Sequence, residues 1–171
     1  TFTTSIVFCY GKLQVMTYTA NGETKTKEIV KGQSIELFED PVPTEEGYYF
    51  DAWFKDAEYK YLANEMDITQ ASKPLYARFA NLPSDYIAYD TAKSVYYVKR
   101  GSSTLPADLI IPAKYDDGTN GKSNIRCIAS GESYINGVFF KKSIVTVSLP
   151  CTLIEIGACA FQETNSLTTI N

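Results

Sequence analysis

Apolar and polar positions alternate along most of this chain. VMTYTA (residues 15–20) and ETKTKEIV (23–30) are rich in β-branched and aromatic residues at alternate positions, the period of a half-buried strand. Between them stands Asn21-Gly22, two residues tolerant of the positive φ that a tight hairpin turn demands. The pattern predicts a hairpin over residues 13–30, preceded by a strand at SIVFCY (5–10). KGQSIELF (31–38), GYYFDAWF (47–54) and LYARFA (75–80) extend it, with a proline-bounded turn at 41–43. Only residues 62–72 suit a helix, and a short one. The polar, proline-containing NLPSD (81–85) marks a module boundary. Beyond it, YIAYD and SVYYVKR flank TAK as a second hairpin.

The last third repeats itself. SIVTVS (143–148) returns as SLTTIN (166–171) with Ile144 matching Leu167, Thr146 matching Thr169 and Val147 matching Ile170, an offset of 23 each time. A period of 20 to 29 with this apolar spacing is a leucine-rich repeat signature. Such a unit cannot bury its apolar face alone and stacks on its neighbours. A longer copy precedes it: LIIP (109–112) matches VSLP (147–150) at an offset of 38. Its excess length falls in two polar, glycine-containing stretches, AKYDDGTNGKSN and ASGESYING, expected as surface insertions. Within the regular strand, Ile144, Val147 and Leu149 are expected to point inward, and Val145, Thr146, Ser148, Thr168 and Thr169 outward. The outward face is the best binding candidate that the repeat offers, though small residues there also suit plain solvation.

Composition narrows the chemistry. Sixteen basic against twenty acidic residues give a formal charge of −4, which argues against a nucleic-acid partner, since that needs a basic face. The chain has no histidine, so it lacks the commonest general base and metal ligand. No S-x-x-K stands in for serine–histidine chemistry. The four cysteines (Cys9, Cys127, Cys151, Cys159) form no C-x-x-C pair, against a zinc site, and free thiols are their expected state. No apolar run approaches the length of a membrane span, and no signal peptide or N-glycosylation sequon is visible.

Three constellations invite a catalytic or ligand reading. DDGTNGKS (116–123) ends like a phosphate-binding loop, but Asp116 occupies the place of the first glycine and a strand-like segment comes after it, so a solvated loop is expected. Asp116-Asp117-Gly118 lacks the alternating ligand ladder of a calcium loop. Glu45, Glu46 and Asp51 lie beside the aromatic run EEGYYFDAWF. Nothing in the sequence suggests the buried setting that would raise one carboxyl pKa for glycoside cleavage. No catalytic, cofactor-binding or metal-ligating residue is therefore assigned. Tyr48, Phe50 and Trp53 are expected in a small core, with Tyr49 and Asp51 facing water.

The run IVTVSLPCTLIEIGACAFQETNSL (144–167), with Leu149-Pro150, Leu153, Ile156-Gly157, Ala160-Phe161 and Leu167 at its key places, resembles the BspA-like leucine-rich repeats. The first module resembles the Listeria–Bacteroides repeat, the internalin B-repeat type. Pro43, Gly47, Tyr48, Phe50, Trp53, Phe54, Leu75, Tyr76 and Ala77 carry that likeness, while Ala52 and Phe79 depart from the usual glycine and tryptophan. These resemblances imply a mainly β protein. Residues 1–80 would form a β-grasp-like domain. Residues 81–171 would form a leucine-rich repeat region: an irregular capping unit (86–142), a regular repeat (143–165) and the start of the next (166–171). Opening on Thr1 and closing in mid-repeat, the chain is expected to be a piece of a longer protein. Both families imply an extracellular, cell-surface bacterial protein without catalytic activity or cofactor. It would act as a monomer by contact with a host or matrix protein or a surface glycan. The alternative is a carbohydrate-binding accessory module of a larger extracellular enzyme.

Overall fold

The computed structural model describes residues 13–30, 40–63, 74–131 and 135–171. The chain is mainly β, with a single 3-10 turn at Ser84–Tyr86 as the only helical segment among the described residues. β1 (Leu13–Ala20) and β2 (Glu23–Val30) pair antiparallel from Leu13 opposite Val30 to Ala20 opposite Glu23. Asn21 and Gly22 turn the hairpin with φ of 52° and 75°, as a two-residue turn matched to strand twist requires. β3 (Tyr49–Phe54) and β4 (Leu75–Ala80) complete a four-stranded sheet in the order β2-β1-β4-β3, with β1 parallel to β4 and β3 antiparallel to it.

The expected strand at 5–10 and the KGQSIELF segment lie outside the described residues, as does most of the expected helix at 62–72. The start of that helix is corrected. Leu62 forms an antiparallel bridge to Phe54, and the Ala63 amide donates to the Trp53 carbonyl at 2.9 Å. Extended chain there covers the outer edge of β3, which would otherwise expose unpaired backbone groups.

β3 does not alternate cleanly. Its pairing with β4 shifts between Phe50 and Ala52, so Asp51 is the extra residue of a β-bulge. A bulge breaks the two-residue period and re-aims the side chains beyond it. Phe50 and Trp53, three positions apart, thereby reach one face, with ring centroids 5.5 Å apart. There Trp53 packs with Ala63, Leu75 and Ala77, with Tyr18 and Phe79 against them. Tyr48 is only half-buried and lies outside this core, contrary to expectation. Ala52 and Phe54 pack the opposite way, onto Ala113 of the second unit.

The second unit begins with a hairpin, β5 (Ile87–Asp90) and β6 (Val95–Val98). Its turn is held by Asp90, which accepts from the Ala92 and Lys93 amides. β6 pairs in parallel with β9 (Ser123–Ile128), β9 in parallel with β11 (Glu155–Ile156), and β8 (Lys114–Tyr115) runs antiparallel to β9. A separate parallel sheet joins β7 (Asp108–Ile110), β10 (Thr146–Ser148) and β12 (Thr169–Ile170). Its register puts Thr146 beside both Asp108 and Thr169, the same intervals of 38 and 23 at which the sequence repeats.

Residues from both sheets share one core: Val98, Leu109, Ile125, Ile128, Ile144 and Val147 are all fully buried. Along it runs a column of rings. Tyr86 stacks on Phe139 at 6.3 Å, and Phe139 on Phe161 at 4.9 Å. Successive passes of the chain therefore place the same residue type at the same depth. Val145, Thr168 and Thr169 are exposed, and Thr146 and Ser148 half-exposed, as the alternation predicts; Leu149 is only half-buried.

Close stacking also constrains backbone. A Cβ on Gly157 would overlap the Ser130 amide nitrogen of the preceding pass, and Gly157 donates to the Ile128 carbonyl at 2.8 Å. Gly157→Ala is therefore expected to lower unfolding free energy by about 1–3 kcal/mol through overpacking. Urea unfolding of the variant would measure it, and an unchanged midpoint would show that the passes can move apart freely.

Candidate functional site

The two units meet on the bulge. Asp51 is fully buried, which corrects the expectation that it faces water. Its Oδ1 accepts from the backbone amides of Ala113 at 2.8 Å and Lys114 at 2.9 Å, and its Oδ2 lies 3.3 Å from Arg78 Nη1. Arg78 is itself buried, opposite Ala52 on β4. The carboxylate of one unit thus holds the backbone of the other. Burial pushes the Asp51 carboxyl up to about 6, against the opposing pull of Arg78, the two amides and Lys122.

Tyr49, also expected in water, is half-buried. Its hydroxyl donates to the Leu82 carbonyl at 3.0 Å and its ring meets Tyr115 edge-on at 6.1 Å. Burial first, then the Asp51 charge, pushes its hydroxyl far above the ordinary tyrosine range.

The boundary segment NLPSD is a joint rather than a loose link. Leu82 is fully buried and Asn81 nearly so. The Asn81 side chain donates to the Asp108 carbonyl at 2.9 Å and accepts from the Ile110 amide at 2.7 Å. Its own amide donates to the Ile110 carbonyl at 3.3 Å. An asparagine amide carries the same donor–acceptor pair as a peptide unit, so Asn81 pairs along β7 as a strand would. The insertion AKYDDGTNGKSN likewise starts as part of the joint, since Ala113 is fully buried and Lys114-Tyr115 form β8.

Around this joint the surface is concave. A cleft of about 960 Å³ lies between the units, with tyrosines 48, 49 and 115 and the acids Glu46, Asp108 and Asp116 on its walls. Two smaller depressions adjoin it. One, of about 430 Å³, sets Asn21, Pro43 and Glu45 of the first unit against Ile110 and Ser148 of the parallel sheet. The other, of about 410 Å³, lies toward Asp40, Lys114 and Lys122. Tyr48 lines all three. Of the outward strand residues singled out in the sequence, Ser148 lines the depression of about 430 Å³ beside Ile110, while Val145, Thr146, Thr168 and Thr169 line none of the three.

The remaining sequence candidates fall elsewhere. Asp51 points into the joint and is tied to Arg78, so it forms no acid–base pair with the exposed Glu45 and Glu46. Asp117 spends its carboxylate on the Thr119 and Asn120 amides and the Asn120 side chain, and the Asn120 bonds, with Thr119, hold it well below the ordinary range. That is a turn closed on itself, leading into β9. Cys127, Cys151 and Cys159 are free; burial and then Glu155 push the Cys127 thiol up, which makes it a poor nucleophile. Among the described residues no group of three or more Cys, Asp or Glu side chains is placed to hold a metal ion. No helix there is long and apolar enough to cross a membrane.

Residues 15–78 match the Listeria-Bacteroides repeat domain family. The matched segment runs from Val15 in β1 to Arg78 in β4; it holds both Asp51 and its guanidinium partner, while the amides that Asp51 holds lie beyond it. No curated protein and no solved structure matches the chain.

The joint has a pH signature. The folded-state value of Asp51, about 6, stands above its ordinary 3.8, so the folded state keeps a proton that the unfolded chain releases. Asp51's contribution therefore grows as pH falls from above 6 toward 3.8. Asp85 is lowered to about 2 by the Ser103 and Ser102 amides, and its contribution is lost as pH falls from 3.8 toward 2. The thermal midpoint is expected to rise between neutral pH and about 5 and to fall below about 3.5. Asp51→Asn should remove the rise and leave the acid fall. A flat profile across the upper window in the parent chain would contradict this placement of Asp51.

Proposed function

We propose that this chain is part of a bacterial surface or secreted protein that works by contact, through adhesion to a host or matrix protein, and carries no catalytic chemistry. The sheet order with a parallel central pair supports reading the first unit as β-grasp-like. The parallel register at the sequence's own repeat intervals supports reading the second as a leucine-rich repeat array led by an irregular cap (86–142). Residues 143–165 would form a regular repeat and 166–171 open the next. Extracellular placement and a monomeric state belong to the same proposal.

One observation carries the functional reading: a groove whose walls come from two units locked together by Asp51 and Asn81. Walls fixed before binding spare a ligand the ordering cost that a flexible linker would impose. Trp53 is buried in the core of the first unit, so it is structural and not an exposed stacking platform for sugars. The carbohydrate-binding alternative would have to use Tyr48 and its neighbours in the groove.

The test is to fill the groove. Thr104 and Ala107 are exposed on its rim, so Thr104→Trp and Ala107→Trp should leave the thermal midpoint unchanged. Attachment of chain-coated beads to matrix proteins or host cells should fall by roughly tenfold or more, a loss typical of an anchor position. Attachment indifferent to both substitutions would overturn the groove as the contact site.

A further inference from the structure

We infer that the large cleft seats a cationic side chain, an arginine or lysine on an extended segment of the partner protein; this rests on the reading of the joint as the contact site. Among the described residues, every charged side chain lining the cleft is an acid, namely Glu46, Asp108 and Asp116, and no lysine or arginine lines it. Tyrosines 48, 49 and 115 line the same space. Carboxylates beside aromatic rings are the chemistry that a guanidinium or ammonium group matches, by charge-assisted hydrogen bonds and by stacking on ring faces.

Two of the three acids are positioned rather than loose. Asp108 Oδ1 accepts from Thr146 Oγ1 at 2.7 Å, and Asp116 Oδ1 from the Gly118 amide at 2.8 Å. The second oxygen of each takes no hydrogen bond among the described residues. The three acids form no metal-holding group, so they suit a long organic cation, or successive ones on an extended strand, better than a bare ion. Two basic groups of the adjoining depressions are engaged: Arg78 with Asp51 at 3.3 Å, and Lys122 with Asp40 at 3.6 Å and over the Phe50 ring. Lys114 lines the neighbouring depression with Lys122.

The probe is a fluorescein-labelled Gly-Arg-Gly-Arg-Gly peptide, followed by anisotropy with the 171-residue chain. The citrulline counterpart keeps the shape of arginine and loses the charge, and should bind at least about tenfold more weakly. Raising salt from about 50 to about 500 mM should weaken the arginine peptide alone. Combining Glu46→Gln, Asp108→Asn and Asp116→Asn preserves the oxygens that accept from Thr146 and Gly118, and should cost a similar factor without moving the thermal midpoint. Asp90→Asn, in a separate cleft beside Tyr89 and Tyr97, should change nothing. Equal binding of the citrulline peptide, indifference to the three neutral substitutions, or binding of neutral oligosaccharides in place of the peptide would overturn the inference. If Ala107→Trp abolishes attachment while no arginine peptide binds, only the cationic occupant falls. If attachment ignores Ala107→Trp, the groove reading falls with it.

Discussion

A carboxylate taken out of water sets the architecture. Asp51 is the extra residue of a bulge, and the bulge does two things at once. It shifts the phase of β3 so that Phe50 and Trp53 fall on one face and close the first core. It also turns Asp51 the other way, onto the Ala113 and Lys114 amides. Removing a charge from water is costly, and the raised Asp51 pKa reflects that cost. A buried pair of this kind contributes little net stability compared with apolar packing, and what it provides is geometry. Two amides and a guanidinium converge on two oxygens only in one arrangement of the units. Ala52 and Phe54 on Ala113 supply the apolar contact beside it.

The same joint protects strand edges. A parallel sheet leaves an unpaired strand at each end. At β7 that edge is met by Asn81, whose side chain and backbone bond to both Asp108 and Ile110. At β3 the returning chain at Leu62 and Ala63 does the same. The first unit therefore serves as a lid on the parallel sheet as well as a wall of the groove. Among the described residues, β11 and β12 are the last strands at the other side of their sheets. The parallel sheet thus has two unlike ends: its β7 edge meets the first unit, while Ile170 is exposed on β12, and Ile156 is exposed on β11 of the other sheet.

Much of this was legible in the sequence, and the hidden remainder has physical causes. The hairpins at 13–30 and 86–100 come from alternation and turn chemistry, which are local. The intervals of 38 and 23 survive as ladder register because each pass must put an apolar residue at the depth of its neighbour. The joint was hidden because it depends on contacts between residues distant in the chain. Asp51 reads as a solvated acid until the bulge is known. The available clue was the three-residue spacing of Phe50 and Trp53, which no unbroken strand can place on one face. Asn81 sits in a stretch whose composition spells a loop, and its amide acts as strand backbone, a role that composition cannot convey.

The hidden part is also where the candidate site lies. Local patterns build each unit, but the cleft belongs to neither: Tyr48 and Glu46 come from the first, Asp108 and Tyr115 from the second. Its shape therefore depends on the angle between the units, and Asp51 and Asn81 fix that angle from below. Tyr49 couples the two levels directly, since its ring lines the cleft while its hydroxyl bonds to Leu82 of the joint. A change at Asp51 that leaves both units folded would still move the walls apart. The contact proposed for the groove should be more sensitive to the joint than either unit's own stability is, because binding geometry fails over displacements that folding tolerates.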